Sequence, residues 1–114
     1  MIEKIIQEYL NKNLEVPVYA EEPEDPESSY LLFEKTGSSE NNLISSAVIT
    51  VQSYGKSLYE AARLNAKVKE HMRDIVVNQP EVSRCKLNSD YNYTDTETKR
   101  YRYQAVFDIT FYEE

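Results

Sequence analysis

The sequence predicts an α+β domain: a mostly antiparallel sheet of about four to five strands with two helices packed on one face, in the order α-β-ββ-α-ββ. Three observations predict it. Ile2, Ile5, Ile6, Tyr9 and Leu10 recur at helical spacing, and so do Leu58, Ala61, Ala62, Asn65, Val68, Met72, Ile75 and Val76. Elsewhere apolar residues alternate at period two, most clearly in Cys85, Leu87, Tyr91 and Tyr93 and then in Tyr101, Tyr103, Phe107, Ile109 and Phe111. Finally, 114 residues at 40% hydrophobic and 29% charged, with two Gly and four Pro, suit one ordinary core, so residues 1–114 are expected to form a single domain.

The first helix is expected over about Ile2 to Asn13, with Glu3, Lys4, Gln7 and Glu8 on its polar face. Val16-Pro17-Val18-Tyr19-Ala20 then reads as a short strand. Pro17 lacks a backbone donor, which favours a strand start or an edge. Residues Glu21 to Ser29 (EEPEDPESS) hold five carboxylates, two prolines and no basic residue, the composition of a solvated loop. A strand from Tyr30 to Lys35 is expected to end in a polar loop beginning at Thr36-Gly37-Ser38-Ser39. A second strand returns through Ile44, Val48, Ile49, Val51 and Tyr54. Ser57-x-x-Glu60 is a capping-box pattern and opens a helix expected to run from Leu58 to about Val77, before Asn78-Gln79-Pro80.

Folding the last third about Glu97 sets Tyr93 opposite Tyr101, Tyr91 opposite Tyr103, Leu87 opposite Phe107 and Cys85 opposite Ile109. Lys86 then meets Asp108, and Asn92 meets Arg102, on the other face. One register thus gathers the apolar set on one face, and a slip of one residue would scatter it. Strands this long, roughly 40 Å for twelve residues at about 3.3 Å each, are expected to carry the turn from Tyr91 to Tyr103 past the core.

Thirteen Lys+Arg against twenty Asp+Glu leave a formal charge of −7, the wrong sign for gripping nucleic-acid phosphates. No apolar run is long enough to span a membrane, and Met1-Ile2-Glu3-Lys4 lacks a signal-peptide architecture. The one cysteine, Cys85, cannot form an internal disulfide, fits a reducing compartment, and shares the inward parity expected of a buried structural thiol. His71, the one histidine, is expected mid-helix just off the apolar stripe, at the surface or its margin, without the convergent ligands a metal needs. The carboxylates of the acidic loop lack the alternating spacing of a calcium loop. No nucleophile–base arrangement or glycine-rich phosphate loop is present. No catalytic, cofactor-binding or metal-binding residue is therefore assigned.

Tyrosine is over-represented: ten residues, with no Trp. Tyr91, Tyr93, Tyr101 and Tyr103 cluster in sequence with Lys99, Arg100 and Arg102 near the last turn. Ordinary cross-strand packing explains such a group. A protein-contact surface explains it equally, because Tyr and Arg are enriched as interface anchors.

The ordered segments resemble one family. They are Glu15-Val16-Pro17-Val18-Tyr19; the hairpin ending Val51-Gln52-Ser53-Tyr54; Ser57-Leu58-Tyr59-Glu60-Ala61-Ala62; Asp90-Tyr91-Asn92-Tyr93; and Tyr101-Arg102-Tyr103-Gln104-Ala105-Val106-Phe107-Asp108-Ile109. Together these are similar to the tail-completion proteins of long-tailed bacteriophages and prophages, the tail-to-head joining or tail-terminator type, over nearly the whole chain. The motifs are structural patterns, with no catalytic signature among them. The single Gly37 departs from relatives that carry several glycines after the corresponding strand.

The resemblance implies a non-enzymatic structural virion protein at the head–tail interface, present in the host cytoplasm during assembly. It implies self-association into a ring, commonly a hexamer, that closes the tail tube and docks to head-completion proteins. It implies no cofactor. DNA would pass through such a ring without specific binding, and copies carrying −7 each would repel it if acidic groups faced the lumen. A ring needs two different surfaces per subunit. Expected interface residues are Glu21, Glu22, Glu24, Asp25 and Glu27 in the acidic loop; Gly37, Ser38 and Ser39 in the loop expected over residues 37–42; and Tyr91, Tyr93, Arg100, Tyr101, Arg102 and Tyr103 at the last hairpin. The alternative is a small intracellular regulatory or ligand-binding α+β domain that dimerises through a sheet edge.

Overall fold

A computed structural model describes residues 1–41 and 43–112. Its sheet has five strands in the order β1-β2-β3-β5-β4: β1 (Val18–Tyr19), β2 (Tyr30–Asn41), β3 (Ile44–Tyr54), β4 (Val82–Asn92) and β5 (Arg102–Tyr112). β1 pairs parallel to β2, and every other pairing is antiparallel. Three helices accompany it: α1 (Ile2–Asn13), α2 (Leu58–Arg73) and the one-turn α3 (Ile75–Asn78). This is the expected α+β architecture in the expected order.

The sheet buries one face. Ala47, Ile49 and Val51 of β3 and Ala105, Phe107, Ile109 and Phe111 of β5 form one cluster with Ile2, Ile6, Tyr9 and Leu10 of α1 and with Leu64, Val68 and Met72 of α2. Full burial of each large aliphatic or aromatic side chain contributes about 1.5–3 kcal/mol, so the two central strands and the helical stripes hold each other in place. Tyr9 ties α1 to α2 by donating its hydroxyl to the His71 carbonyl at 2.6 Å. The capping box forms: Ser57 Oγ accepts from the Glu60 N–H at 3.1 Å, and the Glu60 carboxylate accepts from the Lys56 N–H at 3.0 Å.

Four expectations need correction. The helix expected to reach Val77 breaks at Asp74 into α2 and α3. The segment from Thr36 through Ser39, expected as loop, continues β2 as far as Asn41; its ladder with β3 supplies the order that its polar side chains do not signal. Asn42, the end of the loop expected over residues 37–42, lies outside the described residues.

The third concerns register. The predicted alignment holds for Cys85 with Ile109, Lys86 with Asp108 and Leu87 with Phe107, but it shifts by one residue between Leu87 and Ser89. Beyond that bulge Tyr91 faces Gln104, not Tyr103, and Asn92 faces Tyr103, not Arg102. Tyr93 donates its N–H to the Arg102 carbonyl at 2.9 Å. A single extra residue reverses which face a side chain occupies, so Tyr91 and Tyr93 leave the helix-covered face for the open one. Lys86 and Asp108 are opposite one another without an ion pair; Asp108 Oδ2 accepts from Asn88 Nδ2 at 3.1 Å.

The last correction concerns the C-terminal turn, which does not project freely. Asp95 and Arg100 bridge within it, and Arg100 anchors it to the body. The molecule nonetheless measures 45 × 25 × 24 Å.

Candidate interaction site

The face of the sheet opposite the helices carries an aromatic–guanidinium ladder that crosses all five strands. Tyr19 of β1 meets Tyr30 of β2 edge-on, with ring centroids 5.8 Å apart. Tyr30 stacks on Tyr54 of β3 at 4.4 Å with 6° between ring planes. The guanidinium of Arg102 on β5 lies 5.7 Å from the Tyr54 ring and 4.5 Å from that of Tyr93, just past the end of β4. Tyr93 meets Tyr91 edge-on at 5.9 Å. The ladder follows directly from the pairing, because Tyr30 lies opposite Tyr54 and Tyr54 opposite Arg102.

Hydrogen bonds fix the guanidiniums over the rings. Arg102 donates Nε to the Tyr93 carbonyl at 2.7 Å and Nη1 to the Tyr54 hydroxyl at 2.9 Å. Tyr54 donates in turn to Gln52 Oε1 at 3.0 Å, Gln52 to Gln104 Oε1 at 2.8 Å, and Gln104 to the Tyr91 hydroxyl. One polar chain therefore runs beside the aromatic one. Such networks hold side chains in defined positions.

The acidic loop closes one end of the ladder. Glu22 Oε1 accepts from Arg100 Nη2 at 2.6 Å and from the Tyr30 hydroxyl at 2.9 Å, and Arg100 Nη2 also lies 2.6 Å from that hydroxyl. The Arg100 guanidinium rests 4.9 Å from the Tyr54 ring centroid. Partial burial works against ionisation of Glu22, but the bonds from Arg100 and Tyr30 outweigh it and hold its carboxyl below the ordinary range. Burial, then the Glu22 bond, pushes the Tyr30 hydroxyl well upward. The Glu22 bond raises Arg100. All three groups thus keep their ordinary neutral-pH charge states.

The expected interface residues fall into distinct places. Tyr91, Tyr93, Arg100, Arg102 and Glu22 come together on or beside the ladder. Glu21, Glu24, Asp25 and Glu27 are exposed along the acidic loop, in no ion pair among the described residues. Tyr101 is half-buried, and its carbonyl accepts from the Gly55 N–H at 3.2 Å. Tyr103 alternates with Ala105 and Phe107, so it belongs to the helix-covered face and not to the cluster. Gly37, Ser38 and Ser39 lie toward the far end of the sheet, where the β2–β3 hairpin turns. Tyr19, Tyr30, Tyr54, Gln52 and Gln104 complete the ladder without having been singled out in the sequence. Tyr30 and Tyr54 begin and end the predicted hairpin, a symmetry that could have flagged them.

Cys85 is half-buried at the margin of the core, and burial, with the Asp108 charge second, pushes its thiol up to about 12. Among the described residues no three of His, Cys, Asp and Glu converge as metal ligands would, and no helix is long and apolar enough to cross a membrane. The arrangement holds the exposed Tyr91 and Tyr93 and the guanidiniums of Arg100 and Arg102 rigid over the buried Tyr30 and Tyr54, which suits contact with another macromolecule. No known protein-family model matches the sequence, and no curated protein matches it.

Proposed function

We propose that this chain is a non-enzymatic assembly subunit of the phage tail-completion type, closing the tail tube and joining tail to head as a ring, commonly of six copies. The ladder across the open sheet face carries the proposal. It gathers Tyr91, Tyr93 and Arg102, from the segments that resemble the family, with the neighbouring Arg100 on one preorganised surface backed by the buried Tyr30 and Tyr54. Side chains already locked by stacking and hydrogen bonds lose little entropy on docking, and Tyr and Arg are the usual anchors of protein interfaces. In this role the ladder docks to the tail-tube protein or to a head-completion protein, and a separate pair of surfaces joins subunits. No bound cofactor is required.

Size-exclusion chromatography with and without polymerised tail-tube protein from the same phage tests it. The chain is expected to co-elute with the tube, and Arg102→Ala is expected to weaken that association. A stable dimer indifferent to the tube would overturn the proposal in favour of a small regulatory or ligand-binding domain.

A further inference from the structure

We infer that the two edges of the sheet are complementary, and that β2 of one copy adds antiparallel to β4 of the next in a head-to-tail array. This names the contact that would join subunits in the ring proposed above and rests on that proposal for the ring alone. The strand pairing itself is a property of the isolated chain.

Both edges lack a strand partner over most of their length. β1 meets β2 only at Leu31 and Leu32, so the outer side of β2 from Phe33 to Asn41 has no strand beside it among the described residues. β4 is the last strand on the other side. Unpaired edges are templates for another chain unless something blocks them. Each has a regular stretch clear of its bulges, Gly37–Asn41 on β2 and Arg84–Leu87 on β4.

These stretches lie at one level of the sheet. The paired residues, traced from β2 through β3 and β5, set Gly37 level with Lys86, Ser38 with Cys85 and Ser39 with Arg84. Three successive antiparallel steps make β4 run opposite to β2. A copy rotated about an axis along the strands keeps its strand directions, so its β2 meets this β4 antiparallel and the alternation continues unbroken.

Charge selects the partner. Arg84 and Lys86 on β4 and Glu34 and Glu40 on β2 are all exposed, and none forms an ion pair among the described residues. β4 against β4 would set Arg84 and Lys86, which share the open face, against their own copies, and β2 against β2 would leave those basic side chains without a carboxylate partner. Like charges across a strand pair are destabilising. Only β2 against β4 brings opposite signs together on one face, Glu34 beside Lys86 on the open side, with Glu40 on the other face, which favours a heterologous contact over a two-fold dimer. At the level register Lys86 faces Gly37, which has no side chain to obstruct it, and Glu34 is a near neighbour on the same open face. Leu87, 41% exposed, faces Lys35, whose methylenes can cover it.

The test uses the whole chain in solution. Sedimentation velocity from micromolar to near-millimolar concentration is expected to show concentration-dependent association. The pair Arg84→Glu with Lys86→Glu, and the single change Glu34→Lys, should each weaken it severalfold or more. An equimolar mixture of the two variants restores complementary edges and should recover it. Independently of any variant, hydrogen exchange in the wild-type chain should slow at residues 37–41 and 84–87 as concentration rises. A wild-type chain that stays monomeric, association indifferent to both reversals, a mixture no better than its components, or slowed exchange elsewhere alone would overturn the pairing. A monomer that still binds tail tubes would refute the edges and leave the assembly role standing. Edge-paired association without tube binding would do the reverse.

Discussion

Arg100→Ala isolates the contact that fastens the last turn to the acidic loop. Arg100 pairs with Glu22 at 2.6 Å, with the two side chains 44% and 42% exposed. At such exposure an ion pair contributes about 0.2–1 kcal/mol. The stack on Tyr54 at 4.9 Å adds about 0.5–1 kcal/mol. Tyr30 keeps Glu22 as a hydrogen-bond partner at 2.9 Å, so its hydroxyl is not orphaned and adds little. The loss should be about 1–2 kcal/mol, equivalent to roughly 4–8 °C in melting temperature for a chain of this size. Urea denaturation followed by far-ultraviolet circular dichroism measures it as a lower midpoint at unchanged slope. Arg100→Lys keeps the charge but lacks the planar fork and the stack, and should recover less than half of the loss. A double-mutant cycle with Glu22→Gln should give a coupling of about 0.5 kcal/mol. An unchanged midpoint in Arg100→Ala, with no coupling to Glu22, would refute the idea that this contact anchors the turn.

Three further outcomes follow from particular residues. A Cβ at Gly55 would sit 2.6 Å from the Ala61 nitrogen, so Gly55→Ala should cost about 1–3 kcal/mol in denaturant unfolding, whereas Gly37→Ala, with only Val48 Cγ2 at 3.9 Å, should be close to neutral. The carboxyl of Glu22 is lowered in the folded chain, so its contribution is complete above the unfolded carboxylate value, about 4.3, and is lost as pH falls through the lower folded value; NMR should show the Glu22 and Tyr30 resonances moving together in that acid window, and an undepressed Glu22 titration would contradict it. The Cys85 thiol is pushed up to about 12, so alkylation near neutral pH should be on the order of a hundredfold slower in the folded chain than in urea, and equal rates would show an accessible, ordinary thiol.

Much of the architecture was legible because local patterns agreed with the fold. The apolar repeat gave α1 its bounds, Ser57 and Glu60 marked the start of α2, and Pro17 marked the short first strand. The central part of the β4–β5 register followed from matched alternation and opposite charges at Lys86 and Asp108. What escaped was where one residue changes the geometry without changing the pattern. Cys85, Leu87, Tyr91 and Tyr93 keep even spacing throughout, so the bulge after Leu87 leaves no trace in the alternation, though it decides which face the tyrosines occupy. The far half of β2 is polar on both sides and is a strand because β3 pairs with it, a long-range cause invisible locally. The helix break at Asp74 has neither Gly nor Pro to announce it. The ladder was half legible: its basic and tyrosine residues near the last turn stood out, whereas Tyr30 and Tyr54 join them only through sheet order.

Electron microscopy of tails assembled with this gene deleted from the phage or prophage that the proposed function implies bears most directly on the proposed assembly role. Tail tubes that overrun their normal length and fail to join heads, both defects being reversed by supplying the wild-type chain, are the predicted result. Tails of normal length that still join heads in its absence would contradict it.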